Sequence, residues 1–127
     1  MEQFLIDTNV ISDFLSLSLS PKGISFLSDI IDEVPNISVI TQIELLCWNA
    51  DERITGKVTS FVEDSNVFDI SPEIVQNCVK IRKGKKVKTP DAIIAATALS
   101  YGYTLVTNNE KDFKHIADLK VVNPHLL

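Results

Sequence analysis

The sequence predicts an α/β domain of three layers, in which a short parallel β-sheet lies between two layers of helices. Short apolar runs that suit strands alternate with longer segments whose apolar residues recur at helical spacing, as in a parallel sheet with crossover helices. The 127 residues suffice for one domain with one core. Because we find no internal repeat, linker or low-complexity segment, we treat residues 1–127 as a single domain.

The first half of the chain predicts two strands and four helices. The first strand is apolar on both faces, which is typical of a central strand in a parallel sheet. Thr, Asn and Pro residues mark helix starts, whereas Gly56 is unfavourable within a helix. The predicted elements are, in order, a strand over 3–6, a helix over 10–15 capped by Thr8 or Asn9, a helix over 21–31, a strand over 37–40, a helix over 41–48 opened by Thr41, and a helix over 51–63.

The second half predicts three strands and two long helices. Pro72 after Ser71 marks one helix start, and Gly102 marks a helix end. Four alanines (Ala92, Ala95, Ala96 and Ala98) make the last long helix thin, so that it can pack close to the sheet. The predicted elements are a strand over 67–70, a helix from 72 that ends at Gly84, a helix over 91–101 capped by Thr89 and Pro90, a strand over 103–106, a loop or single helical turn over 108–113, and a strand over 119–122.

The composition is that of an ordinary globular protein, with 45% hydrophobic and 23% charged residues. No apolar run approaches the roughly 20 residues that span a bilayer, and Glu2 stands where a signal peptide would carry basic residues. We therefore expect no membrane segment and a cytoplasmic location. Cys47 and Cys78 lie in apolar helical contexts, which predicts reduced thiols in the core.

The net charge of −5 argues against a general DNA-coating protein, but the charges are unevenly distributed. Six of the 12 Lys and Arg residues lie in one short segment before Asp91, so the rest of the chain is distinctly acidic. This basic segment suits binding of a phosphate backbone, and it suits a solvated loop equally well. Its charged residues are Lys80, Arg82, Lys83, Lys85, Lys86 and Lys88.

Three acids and one amide are predicted at the edge of the sheet where the carboxyl ends of parallel strands form sites. Asp7 directly follows the first strand, Glu44 lies one turn past the second, and Asn109 lies just past the fourth. Asp91 lies in the first turn of a helix that returns to the sheet. Like charges at close range repel one another. A divalent cation removes this repulsion, and acids around such a cation can hydrolyse phosphodiesters.

Each acid also has a structural interpretation. Thr41 and Glu44 have the spacing of a capping box, Asp91 suits the positive end of a helix dipole, and Asp7 can accept from turn amides. Taken singly, the structural role is favoured for Glu44 and Asp91, but not for Asp7, which follows three apolar residues with no partner in view. Taken together, the three acids favour the functional role, because all of them fall on one predicted edge of the sheet.

The remaining candidates have weaker signals. Asn109 and Asp112 fit either turn chemistry or the site, and Asn109 is favoured as a residue that orients a water. Trp48 is assigned to the core rather than to base stacking. His115 and His125 are assigned to the surface, because no Ser or Cys nucleophile setting lies near them.

These blocks of sequence resemble the PIN-domain proteins of the VapC type, the ribonuclease toxins of bacterial toxin–antitoxin modules. The resemblance covers nearly the whole chain, and the blocks occur in the same order in a chain of similar size. They are Phe4–Val10, Thr41–Leu45, Thr89–Ala98 (the most specific), Leu105–Asn109 and Asp112–Phe113.

The resemblance implies a PIN-like fold and an endoribonuclease that depends on Mg²⁺ or Mn²⁺. By carry-over, Asp7 and Asp91 bind the metal directly. Glu44 completes the acidic metal cluster, either as a ligand through water or by orienting the attacking water.

The chain departs from the family pattern at the fourth acidic position, which matches Asn109. Asp112 lies one turn further on and is an alternative acid. This departure favours one metal ion over two. Thr8 and Thr107 lie beside site residues, and we expect them to bond the carboxylates.

The resemblance further implies an RNA substrate, a small antitoxin protein that lies across the active-site groove, and a homodimer. The helices around Ile11, Phe14 and Leu46 suit such surfaces, and they suit the core equally well. The main competing function is a catalytically decayed PIN-like module that binds or regulates, with Asn109 as the mark of decay.

Other α/β acid-site classes fit less well. A phosphatase of the haloacid-dehalogenase type would carry an acid where Asn9 stands. A P-loop NTPase needs a Gly-rich phosphate loop, but the four glycines of this chain are widely separated.

Overall fold

The computed structural model describes residues 2–127 as five β-strands, seven α-helices and a C-terminal 3₁₀ turn. Among these residues, no helix has both the length and the hydropathy that a membrane crossing requires. In chain order the elements are β1 (Phe4–Ile6), α1 (Thr8–Leu15), α2 (Pro21–Asp32), β2 (Asn36–Ser38), α3 (Val39–Leu46), α4 (Glu52–Asp64), β3 (Asn66–Phe68), α5 (Pro72–Gly84), α6 (Thr89–Tyr101), β4 (Thr104–Val106), α7 (Glu110–Phe113), β5 (Val121–Val122) and the 3₁₀ turn (Pro124–Leu126).

The described strands form one parallel sheet in the order β3-β2-β1-β4-β5. β1 is central, as its apolar sequence predicts, because Leu5 pairs with Asn36 of β2 on one side and with Leu105 of β4 on the other. Since the strands run the same way, their carboxyl ends meet at one edge of the sheet. The residues that follow β1 and β4 therefore become neighbours.

Helices cover both faces of the sheet, which confirms the predicted three-layer architecture. Successive strand residues point to opposite faces, so Leu5 packs with α5 and α6, whereas Ile6 packs with α1 to α4. Leu105 and Val106 of β4 repeat this alternation, and all four side chains are fully buried. As predicted, the thin helix α6 packs its alanines into the core, where Ala92, Ala95, Ala96 and Ala98 are fully buried.

The second strand is shorter than predicted, and the helix after it begins earlier. β2 ends at Ser38, whose Oγ accepts from the Ile40 backbone N–H at 3.1 Å and so caps α3. The predicted strand over 37–40 and the predicted helix start at Thr41 are therefore wrong, because α3 begins at Val39. A short apolar run fits a strand or a buried helix equally well, and here the Ser38 cap decides between them.

Two helix caps also differ from the prediction. α1 is capped by Asp7 rather than by Thr8 or Asn9, and Thr8 is its first helical residue. α6 begins at Thr89, since Lys88 holds the cap position without a side-chain hydrogen bond. In both cases the helix begins two residues before the predicted start.

The other differences are local. β3 ends at Phe68 and β5 begins at Val121, so both outer strands are shorter than predicted. α4 forms despite Gly56. Cys78 is buried, as predicted. Cys47 is exposed, because it is the C-cap that follows the last residue of α3, so the prediction of a core thiol is wrong for Cys47.

Gly23 of α2 marks a close approach to the C-terminal turn. A Cβ at this position would lie 2.7 Å from the Pro124 carbonyl oxygen, a backbone atom that cannot rotate away. We expect Gly23→Ala to lower the free energy of unfolding by about 1 to 3 kcal/mol, the usual effect of overpacking. Urea denaturation followed by circular dichroism measures this change.

The matched control is Gly56→Ala. A Cβ there meets no atom within 4 Å, and alanine in a helix interior is better than glycine by roughly 0.5 to 1 kcal/mol. We expect this variant to be more stable than the wild type. If the two variants had equal stability, the contact between Gly23 and Pro124 would not constrain the fold.

Candidate active site

Asp7 stands at the junction of β1 and α1 and takes part in both elements. Its backbone N–H donates to the Val106 carbonyl oxygen of β4 at 2.9 Å. Its Oδ1 accepts from the Thr8 N–H at 2.8 Å, and its Oδ2 accepts from Thr107 Oγ1 at 2.8 Å. Both carboxylate oxygens are therefore fixed in position, and the residue is only 5% exposed.

The surroundings of Asp7 oppose its ionisation. Burial is the largest cause, and it raises the pKa of the carboxyl from 3.8 to about 6. The hydrogen bonds from Thr107 and Thr8 lower this pKa, and the negative charges of Asp91 and Glu44 raise it. The three acids predicted at one edge of the sheet are therefore close enough to repel one another.

Glu44 joins the site from α3 through a hydroxyl contact. Thr8 Oγ1 donates to Glu44 Oε1 at 2.6 Å and lies 3.0 Å from Thr41 Oγ1. Glu44 is exposed, whereas Thr41 is fully buried. Because α3 begins two residues before Thr41, Thr41 is not the cap, and the capping-box interpretation of Glu44 is wrong. Glu44 is instead held by the residue that follows Asp7.

Asp91 lies in the first turn of α6, where the helix dipole favours a negative charge. Its carboxyl nevertheless has a raised pKa, because of partial burial and the charges of Glu44 and Asp112; the Lys88 ammonium acts in the opposite direction. The helix dipole is therefore only one of several influences on Asp91, and burial and the neighbouring acids act against it. The structure places Asp91 within electrostatic reach of the other acids.

Asn109 and Asp112 form a hydrogen-bonded unit after β4. The Asn109 backbone N–H donates to Thr107 Oγ1 at 3.0 Å, and its Nδ2 donates to Asp112 Oδ2 at 2.9 Å. Asn109 lines the cleft that contains the acids, whereas Asp112 is exposed on α7. Asn109 thus connects Asp112 to Thr107, and through Thr107 to Asp7.

The acids lie in an open cleft of about 520 Å³ that also borders α1. The polar residues of α1 that line it recur at helical spacing, on the side away from the buried Val10 and Ile11. Leu45 and Trp48 line it as well. Sequence reasoning assigned Trp48 to the core alone, but this side chain is half-buried and belongs to the cleft too. The polar residues that line the cleft here are Asn9, Ser12 and Asp13 of α1 and Ser16, the C-cap of this helix.

Sequence reasoning missed a link between α1, the loop after β4 and the C-terminal turn. Asp13 Oδ2 accepts from Asn108 Nδ2 at 2.9 Å and lies 2.8 Å from His125 Nε2. His125 is exposed as predicted, but it is paired rather than isolated. The polar spacing of α1 could have identified Asp13, whereas no sequence pattern connects Asp13 with His125.

The basic segment is only partly a loop. Lys80, Arg82 and Lys83 belong to the end of α5, where positive charge complements the helix dipole. Arg82 Nε donates to the Val87 carbonyl oxygen at 3.1 Å and so braces the connection to α6. Lys88 occupies the N-cap position of α6, and its ammonium lowers the pKa of Asp91, so the basic segment approaches the acids through Lys88.

The donors at the cleft suit a hard divalent cation with few protein ligands. Among residues 2–127, no group of three or more His, Cys, Asp or Glu side chains is arranged to hold a metal ion. Mg²⁺ often takes only one or two carboxylates and keeps several waters. After burial, the negative charges of neighbouring acids also raise the pKa of Asp7 and of Asp91, and a cation would neutralise this charge.

Known proteins with similar sequences are ribonucleases by name. The family model of the PIN domain matches residues 4–119. Ribonuclease VapC1 from Rickettsia felis (strain ATCC VR-1525 / URRWXCal2) is 53% identical over 100 residues, which cover 68% of this chain and 73% of the relative. Ribonuclease VapC from Rickettsia bellii (strain RML369-C) is 34% identical over 83 residues, which cover 57% of this chain and 60% of that relative, less than two thirds of its length.

A solved structure has the same fold over almost its whole length. A chain of a toxin–antitoxin complex from Klebsiella pneumoniae superposes with a TM-score of 0.78 and 30% identity. The superposition covers 96% of this chain and 98% of that chain.

The raised pKa of Asp7 predicts a specific dependence of stability on pH. The folded state favours the neutral carboxyl. Ionisation of Asp7 therefore costs the wild type no stability below about pH 4, and this loss of stability grows as the pH rises through about 6. A rise of the pKa from 3.8 to about 6 corresponds to roughly 3 kcal/mol. Asparagine does not ionise, so we expect Asp7→Asn in EDTA to be more stable than the wild type by about 1 to 3 kcal/mol at pH 8.

Urea denaturation between pH 4 and pH 8 tests this expectation. The gain should disappear towards pH 4, where Asp7 of the wild type is neutral. Asp69→Asn, which changes an exposed acid, is the control and should show little difference at either pH. A variant at position 7 that is less stable than the wild type throughout would mean that the carboxylate stabilises the fold.

Proposed function

The chain belongs to the PIN-domain family, and on this premise we propose that it is a divalent-metal-dependent endoribonuclease, the toxin of a toxin–antitoxin pair. Relatives named as VapC ribonucleases and the similarity to a chain of a toxin–antitoxin complex support the proposal. One observation carries it: the buried carboxylate of Asp7 is fixed at the carboxyl end of the central strand, close to the negative charges of Asp91 and Glu44.

The proposed cofactor is one Mg²⁺ or Mn²⁺ ion, held directly by Asp7 and Asp91. Such an ion, when bound, acidifies a coordinated water and neutralises charge on the scissile phosphate. Asp7 suits this role because both of its oxygens are oriented by hydrogen bonds from Thr8 and Thr107. Partners of this kind orient metal-binding carboxylates in other proteins.

Glu44 acts on the attacking water in this proposal. One of its oxygens is occupied by the Thr8 hydroxyl at 2.6 Å, which leaves the other for a water. Asn109 occupies the cleft where the family has a fourth acid, and its amide is held by Asp112. We therefore assign Asn109 and Asp112 to positioning beside a single-metal site.

The proposed partners are RNA, a cognate antitoxin and a second copy of the chain. Ile43 and Leu46 of α3 are about half exposed and are apolar surface for an antitoxin. Ile11 is fully buried and is excluded from such a surface. Val75 and Val79 lie four residues apart on α5, are 48% and 46% exposed, and are apolar surface for a homodimer.

The first test is cleavage of total cellular RNA by purified protein that is free of antitoxin. We expect discrete fragments with Mg²⁺ or Mn²⁺ and none with EDTA. Asp7→Asn and Asp91→Asn should each reduce the cleavage rate at least ~100-fold, since loss of a residue that only supports a metal ligand already costs about 10- to 100-fold. Mapping of the fragment ends identifies the substrate.

Asp69→Asn is the matched control, because it removes an equal charge from an exposed loop. Full cleavage by a folded Asp7→Asn protein would remove Asp7 from the mechanism. No cleavage by the folded wild type with either metal would favour the decayed binding module.

A second test concerns the lysines before α6. We expect replacement of Lys85, Lys86 and Lys88 by Gln to weaken RNA binding and to flatten its salt dependence. Each lost phosphate contact lowers the slope of log K against log salt by about 0.7 for a single strand. Filter binding from 50 to 300 mM salt measures the slope. A control with equal charge change replaces exposed lysines elsewhere in the chain, namely Lys22, Lys57 and Lys120. Equal slopes for both triple variants would assign the segment to a solvated loop.

A further inference from the structure

We propose that Trp48 and the polar face of α1 form a subsite that binds one unpaired nucleotide next to the scissile phosphate, by stacking and hydrogen bonds. The inference rests on the proposed ribonuclease function and adds the side chains that hold a nucleotide beside the phosphate. It predicts that single-stranded segments enter the cleft and that duplex RNA does not.

The first support is the shape of the cleft. The acids share it with Asn9 and Ser12 on one face of α1 and with Ser16, the C-cap on the same side. With a rise of 1.5 Å per residue, this face is about 10 Å long. The cleft therefore has room for a group beyond the phosphate at the acids, and its wall offers hydroxyls and an amide to that group.

The second support is the setting of Trp48. It follows the C-cap of α3, and its backbone N–H donates to the Leu45 carbonyl oxygen at 3.1 Å. Its side chain packs against the core cluster that includes the buried Leu45, and Trp48 also lines the cleft. A large aromatic ring that is held in place by packing and remains partly accessible is a platform for base stacking.

The third support is charge. Among the described residues that line the cleft there is no Lys or Arg, and four of them are acids. A duplex is held mainly through its phosphates, and its bases are hidden in the stack. An unpaired base instead offers a flat face and a free edge. The cleft therefore suits a base, and its largely polar wall suits RNA better than an apolar segment of a protein.

The link at Asp13 keeps this wall in place. Its carboxylate accepts from Asn108 Nδ2 and pairs with His125 Nε2, so its position is set from two other parts of the chain. Asn108 lies next to Asn109 in the cleft. A nucleotide between Trp48 and α1 would therefore meet a wall that is fixed relative to the acids.

The sole tryptophan of the chain is Trp48, so its fluorescence reports directly on this subsite. We would mix wild-type protein and Mg²⁺ with a ten-nucleotide single-stranded RNA of mixed sequence, or with the duplex of the same sequence, in a stopped-flow instrument and follow the fluorescence before cleavage begins. The single strand should quench the fluorescence with saturation. The duplex should bind at least ~10-fold more weakly.

Variants tested with a labelled strand by fluorescence anisotropy give the second measurement. Trp48→Leu should weaken binding by about 5- to 150-fold, the range for loss of one base–aromatic stack, and Trp48→Phe should retain most of the affinity. Tyr101→Leu is the control, because Tyr101 is 45% exposed at the end of α6 and lies outside the cleft. It should bind as the wild type does.

The outcomes separate this inference from the proposed function. Saturable binding without quenching, together with unchanged affinity of Trp48→Leu, would overturn the inference and leave Trp48 to a protein partner, even if cleavage of RNA is intact. Equal affinity for strand and duplex would also overturn it. Absence of both RNA binding and metal-dependent cleavage by the folded wild type would overturn the proposed function and the inference with it.

Discussion

The structure of the site depends on the absence of a linker between the central strand and the first helix. Asp7 completes the sheet with its backbone N–H, caps α1 with one carboxylate oxygen and receives the Thr107 hydroxyl on the other. Sheet, helix and site therefore share one residue, and a shift in the register of β1 would move the carboxylate. The parallel pairing of β1 with β4 fixes this register, because it brings Thr107 beside Asp7.

In this arrangement, the carboxyl that is proposed to bind the metal ion also lowers the stability of the fold when it is ionised. The folded protein favours the neutral form of this buried carboxyl, whose pKa is about 6. The negative charges of the nearby acids make its ionisation still less favourable. The hydrogen bonds from Thr8 and Thr107 offset only part of this penalty. A cation at the cleft would have the opposite effect on the Asp7 carboxyl, because it favours the charged form. The same residues that lower the stability of the protein would therefore favour the proposed metal ion.

The sequence predicted the sheet and the acids because both follow from short-range patterns. β1 is apolar on both faces, and acids after strand ends meet at one edge whenever the strands are parallel. The start of α3 was missed because Val39 and Ile40 fit either element, and only the Ser38 cap distinguishes them. The pairing of Asp13 with His125 could not be predicted, because it depends on where the C-terminal turn docks. The second role of Trp48 was missed because hydrophobicity does not distinguish a side chain within the core from one at its edge.

In the proposed function, two differently charged regions bind different parts of the RNA. The described lining of the cleft has no basic side chain, so a phosphate approaches the acids only with a cation. The basic residues lie along α5 and the connection to α6, with Lys88 acting directly on Asp91. The lysines would therefore attract RNA over a distance, and the cleft would position one phosphate. Salt weakens the attraction by the lysines more than the contacts within the cleft. In this proposal, a partner that fills the cleft would exclude both the base and the cation, and it would stop cleavage without contacting the lysines.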